Sequence, residues 1–239
     1  MLRAIALAAR LDFAIDSPTL DAIKRHRCEI ARSSQPRLLE EYYKILRSGA
    51  AEKTFRRLSD VGLVEPISEE LHHGSAAPLW QSLARLDKYR RLFEAAPDTL
   101  ANPILLGSLL VPLGFSWRMA PAARGGVAAG PQLGQLPLAR RDVERLRQIL
   151  GLQRRLGDVA AHPRAQHALT HRSIFREALT WLEVHGGSPE LVEHWTTMLA
   201  RPVSDASVHH VQDVEGEPST GRRRRRRRRR RFRPAPGQH

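Results

Sequence analysis

Ten consecutive arginines, Arg222, Arg223, Arg224, Arg225, Arg226, Arg227, Arg228, Arg229, Arg230 and Arg231, run near the C-terminus, with Arg233 two residues on. No fold can bury that segment, because guanidinium groups stay charged and no acidic residue follows Arg222. The core must come from residues before about position 202, and the rest, 201–239, is expected to be disordered. Of the 239 residues, 39 are Lys or Arg and 25 are Asp or Glu, a net +14 that these eleven arginines nearly account for. The body is therefore only mildly basic. A run of this kind attracts any polyanion with little regard to sequence; a low-complexity tail without a dedicated role is the plain alternative.

The remaining residues read as helices. The chain is 41% hydrophobic but only 5% aromatic, rich in Ala, Leu and Arg, which favours helix over sheet. Between Ser33 and Gly49, Leu38, Leu39, Tyr42, Ile45 and Leu46 recur at helical spacing, with Ser33 or Ser34 as cap and Pro36 in the first turn. Met1–Arg10 is helical and starts without a cap, as though inside a larger unit. A second helix is expected from Asp16 to about Ala31 and a fourth over Ala50–Ser59, broken by Gly62. A turn is expected at Ser68–Leu71, then a helix from Pro78 to about Ala95 with Leu79, Leu83, Leu86, Tyr89 and Phe93 as its stripe. Asn102–Gly114 is apolar nearly all round and should centre the second half's core. Ser116–Gly134 reads as a linker, and further helices are expected over Pro137–Leu150, Leu156–Leu169, Ser173–His185 and Pro189–Leu199. No strand pattern persists. The expected organisation is an all-α helical neck (1–63), a helical body (66–200) and a disordered basic tail (201–239).

Local residue patterns exclude most chemistry. The segment GGVAAGPQLG lacks the Gly-Lys-Ser/Thr ending of a phosphate loop. His167 and His171 sit four apart, but Pro163 and Arg164 disturb the approach of His162 as a third zinc ligand and no carboxylate sits at a supporting spacing, so surface or capping roles are expected and no metal site is assigned. His72-His73 and His209-His210 are adjacent pairs that point apart. Cys28 is expected to be a packed free thiol, and a single cysteine fits a reducing compartment. The adjacent Glu40-Glu41 and Glu69-Glu70 do not aim at one substrate. No catalytic residue is assigned. Arg10 and Asp12 interrupt the apolar start, which argues against a signal segment, and no apolar run spans a membrane, so a cytoplasmic protein is expected.

Basic residues are more informative. Lys24, Arg25, Arg27, Arg32, Arg37, Lys44, Arg47, Lys53, Arg56 and Arg57 crowd the first part of the chain, among Glu29, Glu40, Glu41 and Glu52. Such a stripe suits a phosphate backbone or, equally, a solvated surface.

The segment MLRAIALAARLDFAIDSPTLDAIKRHRCEIARSSQPRLLEEYYKILRSGAAEKTFRRLSDVGLVEPI resembles the neck of bacterial poly(A) polymerases. These are class II nucleotidyltransferases, grouped with the tRNA CCA-adding enzymes. LWQSLARLDKYRRLFEAAPDTLANPILLGSLLVPLG, the later helices and the arginine-rich end are closer to the poly(A) branch. The resemblance implies transfer of AMP from ATP to single-stranded RNA 3′ ends, with Mg²⁺ held by two carboxylates of an N-terminal head. That head carries a Gly-Gly phosphate signature, and a Glu-Asp-x-x-Arg motif precedes the neck; neither is in this sequence. Ala6-Leu7 stand where the family has Arg-Phe, while Arg3 is kept. The expectation is an RNA-binding neck and body that is inactive alone, needing no cofactor itself, with ATP and Mg²⁺ belonging to a separate head. Arg3, Arg37, Lys44 and Arg47 are the expected nucleotide or RNA contacts, and the eleven tail arginines the backbone contacts. A part of a CCA-adding enzyme, or a stand-alone RNA-binding helical protein, are the alternatives.

Overall fold

Helices form where apolar spacing expects them, and their ends are set by caps and by what each packs against. The computed structural model describes residues 1–116 and 131–200, and among these the protein is all-α, with no strand. The tail and most of the Ser116–Gly134 segment lie outside the described residues.

α1 (Leu2–Leu11) buries Leu2, Ile5, Ala8 and Ala9. α2 is shorter than expected: Asp16 caps it, accepting from the Thr19 N–H at 3.2 Å, but it ends at Arg25 (Ser17–Arg25) and tightens into a 3₁₀ segment over Arg27–Arg32. Only Ile23 and Ile30 are buried there, so no continuous apolar stripe holds the stretch against the core as one α-helix. Cys28 is exposed rather than packed, for the same reason.

α3 (Gln35–Leu46) buries the five expected residues and Tyr43. Ser34 takes the cap position, but its hydroxyl makes no capping bond; instead the Gln35 side chain donates to the Ala31 carbonyl at 3.2 Å. α4 (Ala51–Asp60) buries Thr54, Phe55 and Leu58. The Ser68 turn opens a short helix, α5 (Glu69–His73), with Ser68 Oγ accepting from the Leu71 N–H. α6 (Ala77–Arg90) ends before the expected Ala95. Phe93 is 39% exposed, because Arg90 turns the following chain by donating to the Phe93 carbonyl at 2.7 Å.

α7 (Asn102–Leu110) is buried from Pro103 onward. α8 (Arg140–Leu156) runs through Gly151 to Leu156, six residues beyond the expected end at Leu150. Ile149, Leu152 and Leu156 keep to the core side, while Gly151 faces open space. The stretch expected as one helix over Leu156–Leu169 is therefore split, and α9 starts only at Pro163 (Pro163–Thr170). α10 (Phe175–Trp181) continues into a π-helical turn, Leu182–Gly186, before α11 (Pro189–Ala200).

Packing runs from α1 to α4, α4 to α6, α6 to α7, α7 to α8 and α8 to α10. One hydrophobic core follows that path, including Leu46, Phe55, Leu83, Ile104, Leu146 and Phe175. A polar joint ties the first helices to α6. α4 has no capping side chain of its own, and the Asp87 carboxylate, 2% exposed, accepts from the N–H groups of Ala51 at 2.8 Å and Glu52 at 2.9 Å. Arg90 and Arg91 then donate to the carbonyls of Arg47 and Gly49, at 2.9 and 3.1 Å, just past the C-terminus of α3.

Candidate nucleic-acid interface

Two of the four expected contacts, Arg3 and Lys44, meet at one carboxylate, that of Glu41. Arg37, Glu41 and Lys44 share a face of α3 by their i, i+4, i+7 spacing, and α1 brings Arg3 to the same place. Arg3 Nη2 lies 2.7 Å and Lys44 Nζ 2.9 Å from Glu41 Oε1. The Glu41 side chain is 16% exposed, and the two cations, with Arg3 leading, hold its carboxyl down at about 2. The arginine stays in water, with its own pKa raised by the same bond. Arg37 is exposed on the first turn of α3. A shallow groove between α1 and α3 is lined by Arg3, Ala6, Leu7, Arg10, Glu41 and Lys44.

Arg47 is placed elsewhere. It is half-buried, donates to Asn102 Oδ1 at 2.5 Å, and its guanidinium lies 5.7 Å from the Tyr43 ring centroid. Burial lowers its pKa and pushes that of Tyr43 up to about 12. The bond to Asn102 joins α3 to α7.

A second basic face lies on α4. Lys53, Arg56 and Arg57 occupy i, i+3, i+4 positions. Lys53 pairs with Asp12, and Arg57 reaches the same carboxylate at 3.8 Å and the Phe13 carbonyl at 3.2 Å. Arg56 is held by Glu52 Oε1 at 2.9 Å and lies 4.7 Å from the Trp80 ring centroid. Trp80 carries no motif that marks it in the sequence. Its signal was its position: it follows the buried Leu79 and falls off the Leu79–Leu83–Leu86 stripe.

The histidines serve local structure. His162 caps α9, its Nδ1 accepting from the Arg164 N–H at 3.2 Å. His167 Nδ1 and His171 Nε2 lie 3.2 Å apart as an exposed pair. Among the described residues, no three His, Cys, Asp or Glu side chains gather as a metal site would require, and no helix is long and apolar enough to cross a membrane.

Comparison with known families matches residues 12–74 to the "Probable RNA and SrmB-binding site of polymerase A", and residues 120–231 to the "Polymerase A arginine-rich C-terminus". The chain belongs to the poly(A) polymerase family. It carries that family's C-terminal RNA-binding region, and RNA is its partner. The first match takes in α2, α3, α4 and α5, and so Arg37, Glu41, Lys44 and the α4 cations, but neither Arg3 nor Trp80. The second begins ahead of α8 and runs through Arg231, the end of the polyarginine run. No curated protein matches this poly(A) polymerase region closely.

Proposed function

We propose that this chain holds the single-stranded 3′ end of an RNA for a separate nucleotidyltransferase head, which adds AMP from ATP using carboxylate-bound Mg²⁺. The observation that carries the reading is a coincidence of place. The segment matched to an RNA-binding site, 12–74, is also where α3 and α4 expose Arg37, Lys44, Lys53 and Arg56. Arg3, Arg37 and Lys44 approach the primer end, and Arg47 positions α3 through Asn102. The tail, Arg222–Arg231 with Arg233, holds the backbone by charge alone. The setting is cytoplasmic.

The chain alone transfers no AMP. Phosphoryl transfer needs carboxylate-held metal in line with the attack, which in this reading the head supplies. The test is incorporation of labelled ATP by the chain with and without a family head joined to it, on oligo(A) and on tRNA lacking CCA. Incorporation only with the head, and on generic RNA, is the expected result. Preference for the truncated tRNA would move the parent to the CCA-adding branch, and activity without the head would overturn the division of labour.

A further inference from the structure

Arg56 lies over the Trp80 ring, its guanidinium carbon 4.7 Å from the ring centroid. The indole is partly buried against the core, so it backs the guanidinium as a fixed plate. Glu52 Oε1 receives both Nε and Nη2 of Arg56 at 2.9 Å, which fixes the guanidinium edge-on. The Arg56 side chain is still 48% exposed. The guanidinium is a planar, delocalised cation, held by a ring and a carboxylate and still half-exposed to solvent. Single-stranded RNA is recognised through such planar groups, with unstacked bases lying on aromatic rings or guanidinium planes.

Resting on the RNA-binding reading above, we propose that Arg56, backed by Trp80, stacks a base of single-stranded RNA while Lys53 and Arg57 take the flanking phosphates. The acidic neighbours do not prevent this. Glu52 is already engaged as the clamp on Arg56, Asp60 is exposed at the end of α4, and Asp12, which serves Lys53 and Arg57, is 80% exposed. Ion pairs so well solvated contribute little, so a phosphate can replace the Asp12 carboxylate. Phe13, 61% exposed and with its carbonyl accepting from Arg57, adds an apolar surface next to these cations.

Arg56→Lys is the discriminating substitution, since it keeps the charge and removes the plane. Binding of short oligo(A) is compared with binding of the same backbone lacking its bases, for the full chain and for the Arg56→Lys and Trp80→Ala variants. The intact chain is expected to prefer the base-bearing oligomer by about tenfold, and each variant to lose that preference while its log–log salt slope stays unchanged. Each protein serves as its own reference across the two oligomers, so a modest loss of stability in Trp80→Ala does not imitate the effect. Equal preference in the intact chain and in Arg56→Lys overturns the stack and leaves RNA binding standing. No binding of either oligomer by the intact chain overturns the RNA-binding reading itself, and the stack with it.

Discussion

His185 carries its imidazole inside the protein, with Nε2 3.0 Å from Ser108 Oγ and its ring 4.2 Å from that of Trp181. The Ser108 hydroxyl donates to the Ile104 carbonyl at 3.1 Å, which leaves Nε2–H as donor to Oγ. Burial, helped by Arg85, pushes its pKa down to about 3, from 6.5. The unfolded chain therefore takes up this proton as pH falls through 6.5, whereas the folded chain resists until about 3. Stability is expected to decline across that window as acid is added. In His185→Gln the decline between pH 6.5 and 4 should be shallower, as read from denaturant midpoints; an unchanged slope would mean the imidazole titrates freely when folded. Glu41 adds a second, more acidic limb. Its carboxyl is held at about 2 against an ordinary 4.5, so its contribution is complete above 4.5 and lost as pH falls towards 2. Glu41→Gln should remove that limb in the same measurement. Neither role could be read from composition, since both depend on partners 38 and 77 residues away in the chain.

Among the elements, α7 shows why an apolar run needs its one small residue. A Cβ at Gly107 would come within 2.5 Å of the Trp181 ring and 2.6 Å of Leu146. Alanine would improve helix propensity by about 1 kcal/mol, but overpacking a close helix contact costs about 1–3 kcal/mol, so the contact decides. Gly107→Ala is expected to lower the thermal midpoint, although it favours helix in isolation; a raised midpoint would show that α8 and α10 can move apart. α11 depends on an anchor of another kind. Trp195, its one fully buried side chain, donates from Nε1 to the Leu156 carbonyl at 2.9 Å and meets Phe175 edge-on. Its apolar positions were legible as a helix, but that single anchor was not, because it uses the last carbonyl of α8.

At the scale of the whole molecule, charge and fold are divided along the chain. The described helices bury one core that needs nothing from the arginine run, while the run supplies most of the net charge. Deleting 222–233 is expected to leave helix content and thermal midpoint unchanged. The same deletion should flatten the salt dependence of RNA binding, which for ten phosphate contacts on a single strand would have a log–log slope of roughly −7. A slope that survives the deletion would place the ionic contacts on α3, α4 and α8 instead. Much of the fold was legible at this scale, because leucines at helical spacing and well-placed Pro, Ser and Asp residues give the same answer locally and globally. The misjudged ends, at Arg25, Arg90 and Leu156, are those where a distant partner or the absence of an apolar stripe outweighs local signals.

The residues by themselves determined that this chain is helical, that its charge is concentrated outside its core, and that its wording is that of a poly(A) polymerase region. Periodicity and charge are local quantities, and a run of ten arginines can be neither buried nor mistaken. Only the tertiary structure decided how the basic residues are used. It gathers Arg3 and Lys44 about Glu41, leaves Arg37 exposed on the first turn of α3, turns Arg47 inward to Asn102, and sets Arg56 over Trp80. A side chain's availability depends on which helix packs beside it. That is settled by one shared core and by an aspartate on α6 that caps α4 from 36 residues away.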